Sequence, residues 1–111
     1  MSIQDWYGVR NFLTLLQVAL ASDSREQVAA MPKYPLRYHG ESKNMVLHSA
    51  RDVISNYNLI FSAKLRRAVA EQKPWSLEGS SDGIGIEGGF IWMSDPSQNG
   101  SFKVTSIFAP P

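Results

Sequence analysis

In the stretch "SDGIGIEGGFIWM", residues 81–93, Gly83-x-Gly85-x-x-Gly88 has the spacing of a dinucleotide-binding loop. In such a loop glycines let the backbone approach a pyrophosphate held at a helix N-terminus. Elsewhere the groups able to do chemistry are sparse. His39 and His48 are the two histidines, and Glu41 follows His39 by two residues; no acidic pattern completes a metal set, so a polar loop pair is the favoured reading over a metal site. Ser49 beside His48 pairs a nucleophile with a base on paper. Adjacent residues rarely orient a productive hydrogen bond, and helix capping accounts for the serine. Lys64, Arg66, Arg67 and Lys73 form a basic run, but "AKLRRAVAEQK" interleaves it with core residues, which favours a solvated helix face over a nucleic-acid surface.

The elements that must position these groups follow from periodicity. Trp6, Val9, Leu13, Leu16 and Leu20 recur at helical spacing and predict an amphipathic helix over 4–22, with Phe12, Leu15 and Ala19 widening its apolar stripe. Ser24, with Gln27 three residues on, predicts a capped second helix ending near Met31, before Pro32. "KYPLRYH" at 33–39 alternates as a strand with Pro35 at an edge or bulge, and "NMVLH" follows the Gly40–Lys43 turn as a second strand. Ser49, helped by Asp52, opens a helix that turns Val53, Ile54, Tyr57, Ile60 and Phe61 inward. Ser62 opens another with Leu65 and Val69 inward, ending before Pro74. After Trp75 the period becomes strand-like, with strands predicted at 82–87, 90–94 and 101–108 in an antiparallel meander. Helices first and strands after indicate an α+β fold.

That context decides the glycine question. Gly88-Gly89 leads into Phe90-Ile91-Trp92-Met93, a strand with no helix-start signal, so no helix N-terminus receives a phosphate there. The glycines are predicted to serve a hairpin turn at Gly88-Gly89 and, at Gly83 and Gly85, a bend in the sheet or the close packing of another group.

Composition narrows the classes further. The 111 residues make one domain, residues 1–111, and 43% apolar with 19% charged content describes a folded chain. A net charge of +1 gives no electrostatic argument for nucleic acid, and the longest apolar run, within 12–21, is too short to span a bilayer. Without cysteine there is no thiolate chemistry, zinc-thiolate site or disulfide framework. No signal peptide is visible: the expected location is periplasmic or secreted if one was trimmed, and cytoplasmic otherwise.

The order of elements, together with "YPLRYHG" at 34–40, "SARDVISNYNLIFSAKLRRAV" at 49–69, "GIGIEGGFIWM" at 83–93 and the closing "FKVTSIFAP", resembles the nuclear transport factor 2 and ketosteroid isomerase superfamily, in particular small bacterial members. The resemblance implies a cystatin-like cone: N-terminal helices packed on a strongly curved antiparallel sheet around a pocket. It makes Tyr7 a possible counterpart of the isomerase tyrosine. The carboxylates do not follow, because Asp82 and Glu87 stand at the ends of a strand and Ile84, Ile86, Ile91, Trp92 and Met93 fill the middle of the late sheet. Tyr7 then reads better as an amphipathic residue with its hydroxyl at an edge.

The aromatic set Trp6, Tyr7, Tyr34, Tyr38, Tyr57, Trp75, Phe90 and Trp92 either lines an apolar cavity or fills a core. Tyr7, Tyr38, Trp92 and Arg10 are the predicted pocket residues, with Trp92 alternatively at an interface. The expected function is a non-catalytic module for an apolar small molecule or a protein partner, a homodimer included. No cofactor, metal, nucleic acid or membrane insertion is expected. The alternative is a small-pocket isomerase or lyase using an unfamiliar constellation around Tyr7, Tyr38 and Asp82.

Overall fold

A computed structural model describes residues 3–80, 83–86, 89–94 and 102–110. Asp82, Glu87, Gly88 and the "DPSQNG" turn lie outside the described residues, as does the side chain of Trp6.

The first helix, α1 (Ile3–Ala21), exists for the stripe that the sequence shows: Val9, Leu13, Leu16, Ala19 and Leu20 are buried. Leu15 is not. It is exposed together with Val18, which corrects the expectation that it widens the stripe. At about 100° per residue, Leu15 stands about 130° from the centre of the Val9–Leu13–Leu16–Leu20 line, too far round to reach the core. A short α2 (Arg25–Ala29) follows a turn in which Asp23 takes a left-handed φ of 54°. Ser24 precedes α2 but makes no side-chain capping bond, so the predicted capping box is absent.

The other two caps form as their sequences indicate. Ser49 accepts from the Asp52 N–H at the start of α3 (Ala50–Ser55), and the Asp52 carboxylate accepts from the His48 N–H at 2.9 Å. A one-turn α4 (Tyr57–Ile60) leads to α5 (Ala63–Glu71), where Ser62 Oγ accepts from the Leu65 N–H at 3.2 Å. Val53, Tyr57, Ile60, Phe61, Leu65 and Val69 are buried as predicted. The buried Tyr57 hydroxyl meets Asp23, which raises its pKa by charge and by a loose side-chain hydrogen bond; among the described residues it has no well-formed hydrogen bond. Gln17 ties α1 to the end of α5, its amide donating to the carbonyls of Val69 and Gln72 at 3.0 Å each.

The strands are β1 (Pro32–His39), β2 (Asn44–Leu47), β3 (Glu78–Ser80), β4 (Gly83–Ile86), β5 (Ile91–Ser94) and β6 (Lys103–Phe108), with a 3-10 turn at Pro74–Ser76. They form one sheet in the order β2-β1-β6-β5-β4-β3. The predicted all-antiparallel sheet is corrected here: β1 runs parallel to β6, so the sheet is mixed. Parallel neighbours need a long connection, and the whole segment from β2 through β5 supplies it. β3 is an added strand that the sequence does not announce.

One face of the sheet carries the helices. Leu36, Tyr38, Leu47, Ile86, Ile91, Met93, Val104 and Ile107 are buried in one cluster with the inward residues of the helices. The space between α1 and the sheet, expected as the pocket, is this packed core, with Val9, Leu13 and Leu16 at 1% exposure or less.

Gly89 and Phe90 form a turn and β5 starts at Ile91, so among the described residues no helix opens after the glycines to receive a phosphate. Gly83 has φ of 125°, and a Cβ there would collide with the Met93 carbonyl oxygen. Gly85 and Gly89 have a different task. A Cβ on either would stand 3.3 or 3.1 Å from the Trp92 ring, so both leave room for the indole.

Candidate functional site

The site is built where β1 ends. Gly40 turns the chain toward β2, its N–H donating to the Lys43 carbonyl at 3.0 Å. It has to be glycine, because a Cβ would lie 2.9 Å from the Tyr38 ring. Tyr38, buried on β1, points its hydroxyl to the Leu59 carbonyl at 3.4 Å, linking the sheet to α4. The chain after β6 crosses to the same place, held by the Ala109 N–H donating to the His39 carbonyl at 2.8 Å.

Between these segments lies a half-open cleft of about 410 Å³. Its apolar part is Tyr38, Leu59, Ala109 and Pro110. Its polar part is Glu41, Ser42, Lys43, Ser62 and Lys64, with Gly40 at the turn. Two lysines oppose one glutamate. Lys64 is already engaged within the fold. The start of α5, at Ser62 and Ala63, brings the positive end of a helix dipole to the same rim. Burial, with Glu41 adding to it, pushes the Tyr38 hydroxyl above its ordinary pKa of 10.0, which keeps it a neutral donor and not a phenolate nucleophile.

Of the predicted pocket residues, Tyr38 alone lines this cleft. Tyr7 is on the outward side of α1 and 56% exposed; Arg10 is exposed on the same helix, its carbonyl accepting from Thr14 Oγ1 at 3.0 Å. Trp92 belongs to the other face of the sheet. Tyr38 and Ile91 both pair with Ile107 and share the inner face, so Trp92, one residue on, points away from them. The structure therefore does not bring Tyr7, Arg10, Tyr38 and Trp92 together. The aromatic set is similarly dispersed: Tyr57 is core, the Tyr34 hydroxyl donates to the Ala29 carbonyl, Phe90 packs on the core edge, and Trp75 is 75% exposed.

Sequence reasoning missed Leu59, Lys43, Ala109 and Pro110. The turn at Gly40–Lys43 is visible in the sequence, but its meeting with the C-terminal segment is not a local property. His39 and His48 take part in no metal-like cluster: among the described residues no group of three histidine or acidic side chains could hold an ion. No helix among the described residues is long and apolar enough to cross a membrane. Compared with protein-family models, curated proteins and solved structures, the chain finds no match.

Proposed function

We propose that this chain is a non-catalytic binding module, of nuclear transport factor 2-like type, whose cleft takes a small amphipathic molecule bearing an acidic group. The observation that carries the reading is the division of the cleft into an apolar floor and a cationic rim at a volume of about 410 Å³. Ligand sites are commonly of this size and make-up. A ring or short chain rests on Tyr38, Leu59, Ala109 and Pro110, while the acid meets Lys43 and the first turn of α5. A helix-first chain with all its helices on one sheet face is in keeping with the superfamily reading. Binding is favoured over catalysis because burial holds Tyr38 protonated and Glu41, the acid beside it in the cleft, raises its pKa further instead of drawing off its proton.

Calorimetric titration with phenylacetate and with neutral phenylethanol tests this. Phenylacetate should bind at least about tenfold more tightly, the ratio expected when one charge-assisted contact contributes about 1.4 kcal/mol. Lys43→Gln should erase most of the difference, and Ala109→Trp, which fills the floor, should abolish both. Absence of binding, or binding indifferent to Ala109→Trp, would contradict the proposal.

A further inference from the structure

The alternation that buries Tyr38, Ile91 and Met93 places Arg37 and Trp92 on the opposite face of the sheet. Register aligns them across the strands. Val46 pairs with Arg37, Arg37 with Ser106, Ser106 with Trp92, and Trp92 with Gly85. At about 4.8 Å per strand, Val46 to Trp92 spans about 14 Å. Beside this row His39 pairs with Phe108, their rings stacked at 4.4 Å.

Three features separate this face from an ordinary solvated one. First, Gly85 and Gly89 yield their side-chain space so that the Trp92 indole lies flat against β4. The core gains nothing from an indole on the outer face. Second, Val46 and Phe108 are 51% and 38% exposed there, in strand positions that polar residues fill equally well. Third, among the described side chains the outward charge is cationic. Arg37 and Lys33 alternate outward on β1, and Lys103 pairs with outward Ser94.

We propose that this outer sheet face docks an acidic protein segment, one presenting carboxylates around an apolar side chain. Tryptophan and arginine are the residue types that concentrate binding energy at protein interfaces, and here they sit two strands apart in one row. Arg37 and Lys103 supply the charge complementarity that orients such a partner. A two-fold contact with a second copy would set these cations against their own counterparts and is disfavoured. Single-stranded nucleic acid stacks on open aromatic platforms; here Trp92 is half-buried on its glycines, and His39 and Phe108 already stack on each other.

The test is a titration of the full-length, isotope-labelled chain with three probes: a ten-residue peptide alternating glutamate and leucine, its lysine-for-glutamate counterpart, and an eight-nucleotide oligothymidylate. The glutamate peptide should shift the amide resonances of Arg37, Val46, Trp92 and Phe108 and leave Leu59 and Lys43 at the cleft unmoved. Arg37→Glu should weaken it tenfold or more, with Arg37→Gln intermediate; Arg37→Gln keeps the test valid if charge reversal prevents folding. The lysine peptide should not bind. No shift on this face, or equal affinity in both variants, overturns the proposal. So does preferential shifting of these residues by the oligonucleotide, or a doubled molar mass that Arg37→Glu returns to monomer.

Discussion

Ile91 and Trp92 are chain neighbours on opposite faces of one sheet, and the two faces obey different rules. The inner row Tyr38–Ile107–Ile91–Ile86 is buried in one cluster with the inward residues of the helices, and every position is matched to its cross-strand neighbour. The outer row Val46–Arg37–Ser106–Trp92–Gly85 mixes an exposed aliphatic, a cation, a hydroxyl, an indole and a glycine. Packing explains the first row completely. It explains the second only in the seating of Trp92. A strand fixes which residues share a face, but only the covered face is dictated by the fold's own stability; the other is available to a partner.

The sharpest way to break this comparison is to truncate each row. Ile91→Ala, and Leu13→Ala in the same core on α1, should each cost about 2–5 kcal/mol by chemical denaturation, because both side chains are fully buried. Val46→Thr should stay within about 0.5 kcal/mol. Equal losses would mean that the outer row is also core. Next in size is Gly83→Ala, expected to cost about 1–3 kcal/mol because its φ of 125° strains any side chain and the Met93 carbonyl blocks the Cβ.

The inner face was the part legible in the sequence. Leu13 and Leu16 on one helical stripe, Val53, Tyr57 and Ile60 after Ser49, and Leu65 and Val69 after Ser62 all follow from periodicity plus a cap, which are local. What failed was long-range or required finer geometry. Nothing between residues 32 and 39 reveals that β1 takes β6 as a parallel neighbour, and three residues at 78–80 are too few to show alternation. The cleft needs Ala109 to return to His39, a contact across most of the chain. Tyr7 could have been placed: at about 100° per residue it stands about 150° from the buried stripe of α1, facing solvent. For Gly83 and Gly85 the sequence left a sheet bend and close packing open; the close approach of the Met93 carbonyl and the Trp92 ring answers to the second, and that ring is on the outer face.

Smaller effects concern the buried tyrosines. Burial is the first cause raising the pKa of Tyr34, Tyr38 and Tyr57, so the folded chain holds protons that the unfolded chain releases near pH 10. With fewer protons bound by the unfolded state, stability has a negative slope there: it is intact below about pH 10 and falls as pH rises through the folded values. Urea titrations from pH 8 to 11 should show that decline, reduced in Tyr38→Phe. Tyr57→Phe should stay within about 1 kcal/mol of the parent at pH 7, since the buried hydroxyl it removes meets only Asp23, in a loose hydrogen bond. A loss well above that would show that the hydroxyl has a firmer partner.

The direct test of the binding reading is amide chemical-shift mapping of the labelled chain with phenylacetate. The expected result is a saturable set of shifts confined to Gly40, Lys43, Leu59, Ser62 and Ala109, which all line the cleft. Saturable shifts centred anywhere else, or none at millimolar ligand, would contradict it.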